Sequence, residues 1–396
     1  MNFPINGIYQ NIQEHLQLKI IDASKNFIFI KSNDLIRNKK EEIDKLENIE
    51  NWDKMKKIGN PYELIYTSYN KKRKNDSISS YIPISRSYFK LWEIFYNFNF
   101  FHEFQNEKQI IFSHLAEGPG GFMEASYNYM KKNNHYNNLY YGITLNPHND
   151  FVPDWNKIKK IFNNDKNVHI DYGNLYEYND VVNYVSKFKH NKAHIVTADG
   201  GFDYSNDFNG QELNSCQIIY SEIVIALNVL RNKGSFIIKV FDLFSITTCQ
   251  LLSILKTHFE TINIYKPETS RPANSEKYLI CQNFLDNITY EQKSNYLLII
   301  KKWNNSNIIN GQSILFKNFK INNELIHKIF QYNEIYVKNQ IYYLNNTIKI
   351  TENKPLKDEY YQIIKNQVST AINWCQKYEI DINKDSIYYK KNFLVT

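Results

Sequence analysis

Cysteine is scarce in this chain of 396 residues: there are four, Cys216, Cys249, Cys281 and Cys375, far apart and in no C-x-x-C spacing. That excludes a disulfide framework and a zinc module, and leaves free thiols in a reducing compartment as the expectation. Long apolar runs are missing too. No stretch approaches the roughly 20 apolar residues of a membrane span. The opening MNFPINGIYQ lacks a basic start followed by an apolar run, so it does not read as a signal peptide. The expectation is a soluble, intracellular protein. Charge of one sign is not in large excess: 48 Lys and Arg stand against 41 Asp and Glu, a net +7. Such a balance permits a polyanionic partner without demanding one. The wealth of Asn, Ile, Lys and Tyr is what an AT-rich genome encodes, which discounts part of the lysine count. What the chain has is apolar and aromatic material, 42% and 15%, enough for a substantial core. Its length suits one large domain with additions, or two domains.

No repeat is visible along the chain. Residues 1–80 are polar and helix-prone, with a charged helical stretch in DLIRNKKEEIDKLENIENWDKMKKIG. In NPYELIY, Pro61 suits the first position of a helix capped by Asn60. NKKRKND, residues 70–76, reads as a solvated basic loop, an RNA-contacting loop or a nuclear import signal.

From about residue 81 to 288 the pattern alternates. Strands are expected at 109–115, 139–145, 167–171, 193–199, 234–241, 260–266 and 277–284, with amphipathic helices between most of them. Continuous apolar strands alternating with helices argue for an α/β fold with a mostly parallel seven-stranded sheet covered on both faces. The last two strands lack a helix between them and should form an antiparallel hairpin at the sheet edge. Residues 289–396 read as an α+β extension of unknown role. It has strand-like pieces such as NEIYVKNQIYYLNN and a final helix around KDEYYQIIKNQVSTAINWCQKY.

Chemistry gathers at short stretches. In HLAEGPGGF a strand runs into Gly118, Pro119, Gly120 and Gly121 ahead of a helix. Glycines there serve either tight packing or the approach of a ligand to the backbone. The spacing departs from G-x-G-x-x-G, which disfavours a dinucleotide and suits a small zwitterionic group. In TADGGF, Asp199 ends a parallel strand, where open α/β sheets bind ligands; a plain turn is the alternative. Lys239 sits inside the apolar run FIIKVFD. It is either a lysine snorkelling at a strand end or one of lowered pKa, available as a general base. Lys90, in ISRSYFKLWEI, taken alone is an exposed helix lysine. Glu276, in SRPANSEKY, taken alone is a salt-bridged strand residue.

Taken in order, Lys90, the glycine-rich turn, Asp199, Lys239 and Glu276 resemble the FtsJ-like (RrmJ-type) family of S-adenosylmethionine-dependent RNA 2′-O-methyltransferases, with their Lys-Asp-Lys-Glu tetrad. The resemblance covers roughly residues 60–285. NPYELI, GPGGF, GITL, ADGGF, IIKVFDLF and KPETSRPANSEKY look most like the cap-specific mRNA branch. It implies a Rossmann-like methyltransferase domain over 81–288 and S-adenosyl-L-methionine as cofactor, held by Ala116, Glu117, Gly118, Pro119, Gly120, Gly121, Phe122, Asn174 and Asp199. Asn174 stands where the family often has Asp, and the ribose-binding acid after the second strand is absent, with only Thr144 and Asn146 nearby.

The resemblance further implies a capped mRNA 5′ end as partner. Arg271 and Asn274 would line the substrate groove, and Lys56, Lys57, Asp203 and Tyr204 would touch the cap or its phosphates. Aromatic side chains would supply stacking surfaces. Lys239 would take the proton of the ribose hydroxyl. Lys90 and burial would lower its pKa, Asp199 and Glu276 would oppose that, and the net is not legible in sequence. No metal is required, and no membrane is implied. The place of action would be nuclear, or cytoplasmic for a large DNA virus. A relative acting on ribosomal or transfer RNA, or a catalytically silent RNA-binding one, are the alternatives.

Overall fold

The computed structural model describes residues 2–5, 16–47, 49–67, 76–147, 154–162, 165–201, 209–309, 311–317 and 319–390. Most of the basic stretch 70–76, and the residues Asp203 and Tyr204, lie outside these. Strands β1 (Asn2–Pro4) and β2 (Leu18–Asp22) precede helices α1 (Ile30–Ile43), α2 (Trp52–Ile58) and α3 (Ser87–Asn97). Then come β3 (Ile111–Leu115), α4 (Gly121–Lys132), β4 (Leu139–Thr144), α5 (Asn156–Phe162), β5 (Val168–Tyr172) and α6 (Tyr178–Ser186). They are followed by β6 (Ala193–Ala198), α7 (Gln211–Val229), β7 (Leu230–Val240), α8 (Ile246–His258), β8 (Phe259–Tyr265) and β9 (Lys277–Phe284). Helix α9 (Tyr290–Asn304), β10 (Gln312–Phe316), α10 (Asn323–Glu352) and α11 (Lys357–Lys377) complete the larger elements.

Contacts gather into two units that interleave along the chain. The first holds Met1–Asn33, Asn99–Lys266 and Glu276–Glu334; the second holds Asp34–Phe98, Pro267–Ser275 and Ile335–Thr396. The first unit is built on an eight-stranded sheet of order β1-β8-β9-β7-β6-β3-β4-β5. Strands β5, β4, β3, β6 and β7 pair in parallel, as expected of apolar runs joined by helices. All of β3 and β6 is buried, down to His114, so both faces of the central strands are covered. Strand β9 enters antiparallel between β7 and β8, and β8 pairs antiparallel with it. The seven strands read from sequence all form. The eighth, β1, adds antiparallel to β8, so the first residues of the polar N-terminal region extend this sheet. A separate pair, β2 with β10, lies in the same unit.

The register of this sheet sets up the chemistry. Ala198 of β6 pairs with Ile238 of β7, so Asp199 comes abreast of Lys239. Lys239 in turn pairs with Tyr278 of β9. Residues directly opposite on antiparallel strands project to one face, so these two side chains share a side.

The second unit forms around helix α3, whose Phe89, Leu91 and Ile94 are fully buried. Glu93, on the same helix and equally buried, accepts the N–H of Glu268 at 2.7 Å, the N–H and hydroxyl of Thr269 at 3.2 Å each, and the Trp374 indole N–H at 3.2 Å. One carboxylate thereby ties α3, α11 and the segment 267–275 together. Arg86 donates to the carbonyls of Tyr62, Tyr66, Glu63 and Thr269. Gln367 of α11 reaches the carbonyls of Lys57, Ile58 and Asn60.

Two local expectations are corrected. Residues 333–346, strand-like in sequence, belong to helix α10. Their buried positions, Asn333, Tyr336, Val337, Gln340 and Leu344, recur every three to four residues. That helical period overrides the strand preference of Ile, Val and Tyr. Asn60 does not cap a helix starting at Pro61. Its Oδ1 accepts the Tyr62 N–H at 3.2 Å and its amide donates to Glu63 at 2.7 Å, closing a turn before a short 3-10 helix at Glu63–Ile65.

Candidate active site

At the carboxyl ends of β3, β4, β5 and β6 in the first unit, a rim of half-buried residues surfaces: Ala116, Gly118 and Pro119 after β3, Leu145 after β4, Asn174 after β5, and Asp199 after β6. Parallel strands deliver their loops to one edge, and ligands bind there because helix and strand packing leaves that edge open.

The turn after β3 owes its shape to several constraints. The Glu117 N–H bonds the Ile143 carbonyl at 3.1 Å and the Gly118 N–H bonds the Thr144 hydroxyl at 3.1 Å, which fasten the turn to β4. The Gly118–Pro119 peptide is cis. Gly120 adopts φ +112°, and a Cβ on it would lie 2.7 Å from the Ile158 side chain. Gly120 is therefore required by backbone conformation and by packing on α5.

The Glu117 carboxylate fills the start of helix α4. Its Oε1 accepts the N–H groups of Phe122 and Met123 at 2.7 and 2.8 Å. Burial pushes its pKa well up; those amide bonds oppose the shift and the Asp199 charge adds to it. Because these first-turn amides are taken, this helix start does not offer them to a phosphate, in line with the departure from G-x-G-x-x-G.

On β7, beyond β6 in the sheet, Lys239 is only 11% exposed at its side chain. Its ammonium lies 3.3 Å from Asp199 Oδ1 and donates to the Asp199 carbonyl at 2.8 Å. The Tyr278 hydroxyl donates to the same Oδ1 at 2.8 Å. Burial pulls the lysine pKa down, but the Asp199 and Glu276 carboxylates, with Glu222 behind them, outweigh it, and the net shift is upward. Of the alternatives the sequence left open, a lysine of lowered pKa is the one these carboxylates disfavour. The carboxylates arrive from three separate elements, and together they overcome desolvation.

Both glycines of ADGGF have a reason. A Cβ on Gly200 would lie 2.2 Å from Glu222 Oε1, and one on Gly201 would lie 3.1 Å from the Lys239 ammonium. Neither Glu222 nor Tyr278 stood out as a site residue in sequence. Glu222 carries a signal, a carboxyl inside the apolar helix run IIYSEIVIALNVL. Tyr278, inside KYLIC, carries none.

Glu276 immediately precedes β9 and is half-buried, and its backbone carbonyl accepts from Lys266 at 2.6 Å. Asn174 is half-buried; its Oδ1 already accepts the Tyr176 N–H at 3.0 Å. The remaining candidates belong to the second unit. Lys90 is half-buried on α3. Arg271 grips Glu63 with two nitrogens, at 3.2 and 3.1 Å. Asn274 is exposed, and its carbonyl accepts from the Tyr336 hydroxyl at 2.7 Å. Lys56 pairs with Asp53 at 2.6 Å, and Lys57 is exposed.

The rim fits the expected S-adenosylmethionine. It offers a carboxylate in Asp199 for a cation or a hydroxyl, an amide in Asn174, and a turn whose half-buried backbone admits close approach. At its helix start the Phe122 and Met123 amides are already taken by Glu117. Among the described residues no cluster of His, Cys, Asp and Glu could hold a metal ion.

A family model described as FtsJ-like methyltransferase matches residues 83–284. Curated relatives named cap-specific mRNA (nucleoside-2′-O-)-methyltransferase 1 align with this chain. The Drosophila melanogaster protein is 34% identical over 185 residues, 44% of this chain and 22% of that one. The Xenopus laevis protein is 32% identical over 206 residues, 49% of this chain and 23% of that one. The Homo sapiens protein is 32% identical over 186 residues, 44% of this chain and 21% of that one. The match spans less than a quarter of the length of these relatives.

Proposed function

The chain belongs to the FtsJ-like methyltransferase family, and from that premise we propose that it methylates the ribose 2′-hydroxyl of a nucleotide next to the 5′ cap of mRNA. Its cofactor is S-adenosylmethionine. The observation that carries the reading is the Asp199–Lys239 pair at the strand ends, inside the matched segment, with relatives that bear the cap-specific name. No described helix is long and apolar enough to cross a membrane.

When bound, the cofactor supplies a sulfonium whose methyl is the group transferred. Lys239 begins as an ammonium held by Asp199, and in that state it donates a hydrogen bond and orients the hydroxyl oxygen. Once its ammonium has given a proton to water, Lys239 takes the proton of the ribose hydroxyl, whose oxygen would accept the methyl that the bound cofactor would supply, the electron pair of the former sulfur–carbon bond staying on sulfur. Tyr278 keeps Asp199 fixed, and Glu276 adds negative charge at the lysine. Lys90 is proposed as fourth member on the sequence motif, as are the groove roles of Arg271 and Asn274.

The test is methyl transfer from labelled cofactor to short capped and uncapped RNAs, with nuclease mapping of the product. Capped RNA should be methylated on ribose, and uncapped RNA should not. Equal transfer to both would favour a ribosomal or transfer RNA substrate. Lys239→Ala should lower turnover by about a hundredfold to ten-thousandfold, the usual worth of a positioned base, while cofactor affinity by calorimetry stays close to wild type. Near-normal turnover of that variant would overturn the mechanism.

A further inference from the structure

Glu222 lies on α7, in the first unit, and is fully buried. Its Oε1 accepts the Gly200 N–H at 3.2 Å, and its Oε2 is buried with no hydrogen-bond partner among the described residues. The carboxyl occupies the space a side chain at position 200 would need. A buried carboxyl oxygen without a partner is costly, so it persists where the surroundings use it.

We propose that Glu222 is a positioning residue that, from behind Gly200, holds the Asp199–Gly201 turn against Lys239 and sets a second carboxyl behind Asp199. The proposal rests on the 2′-O-methyltransferase reading for its consequence in catalysis, though not for its electrostatics. Among the described residues, the charged groups that act on Glu222 are Lys239 of β7 and Asp199 at the end of β6, and the Gly200 amide donates to it. Lys239 is further faced by Glu276 ahead of β9, and Asp199 by Tyr278 of β9 and by Glu117 of the turn after β3. Burial, with Asp199 adding, raises the Glu222 pKa to about 8 against the pull of Lys239 and the Gly200 amide. Near neutral pH it is then largely a neutral acid that clamps the turn. Above about pH 8 it becomes a further negative charge that strengthens the lysine's hold on its proton.

Glu222→Gln keeps an acceptor for the Gly200 N–H and removes the charge. Two readouts on the full chain test the proposal. In the first, Lys239 of the wild type and of the variant is acetylated competitively across pH and quantified by mass spectrometry against exposed lysines. The variant's reactivity curve should move to lower pH, because a carboxylate that favours the ammonium is gone. In the second, single-turnover methylation of capped RNA is followed across pH, and the limb that rises as Lys239 loses its proton should move the same way. A purely structural clamp would lower rates at every pH and move neither curve. An unmoved labelling curve overturns the proposal. If the wild type transfers no methyl to any RNA, the functional reading falls while the labelling curve still decides the role of Glu222.

Discussion

Glu222 and Glu212 are buried carboxyls with consequences beyond catalysis. Burial, with Asp199 adding, raises Glu222 to about 8 against Lys239 and the Gly200 amide. Burial and the neighbouring Asp242 raise Glu212 to about 7, although its Oε1 accepts the N–H groups of Phe244 and Ser245. Unfolded, both titrate near 4.5, the ordinary value of a glutamate carboxyl. Between that value and the folded one, the native state binds more protons than the unfolded state. Their contribution to stability is thus greatest below about pH 4.5, falls as pH rises, and has reached its minimum above about pH 8. At ~1.4 kcal/mol per pKa unit, the fall amounts to a few kcal/mol for each carboxyl. Denaturant unfolding between pH 6 and 9, a window above the titration of ordinary carboxylates, should show stability declining with pH. Glu222→Gln should flatten the upper part of that decline. A profile equally steep in the variant would count against it.

At the scale of elements, the turn between β3 and α4 was legible as a glycine-rich strand-to-helix junction, but the reason for each glycine was not. Gly120 faces Ile158 of α5 and holds φ +112°. Gly120→Ala should therefore destabilise the protein by ~1–3 kcal/mol from backbone conformation, with crowding against Ile158 added. Adding Ile158→Ala should relieve the crowding and not the conformational part, within whatever the new cavity costs. Thermal unfolding of the single and double variants measures this; an unchanged melting temperature in Gly120→Ala would show the turn to be pliable. Helix α10 carries the complementary lesson. Its Ile, Val and Tyr suggested strands locally, and the three-to-four-residue spacing of buried positions made it a helix. Tertiary packing decided between two readings that a short window left close together.

The whole molecule is organised by contacts between segments distant in sequence. The second unit takes Pro267–Ser275 from between two sheet strands and binds it to Glu93, Arg86 and Tyr336. Helix α11 supplies Gln367 and Trp374 to the same unit. A chain ended at residue 356 loses that helix and leaves the buried Glu93 and the carbonyls of Lys57, Ile58 and Asn60 with fewer partners. Its second unit should unfold at a lower temperature and bind an apolar dye more strongly than the full chain. An unaltered unfolding transition would show that α11 is dispensable to this unit.

The sequence by itself determined the seven central strands, because each is an apolar run bounded by a turn and joined to the next by a readable connection. It also determined the family, since GPGGF, ADGGF, IIKVFDLF and SRPANSEKY are short stretches whose residue types are local facts. It named Asp199, Lys239 and Glu276, though not the state of the lysine between them. Tertiary structure alone decided that Lys239 is raised rather than lowered, that Glu222 stands behind Gly200, and that Arg271 is held by Glu63. The physical reason is that charge acts through space and burial. Asp199, Glu276 and Glu222 lie 40, 37 and 17 positions from Lys239 along the chain, and only the β6-β7-β9 register and the packing of α7 bring their fields to one ammonium.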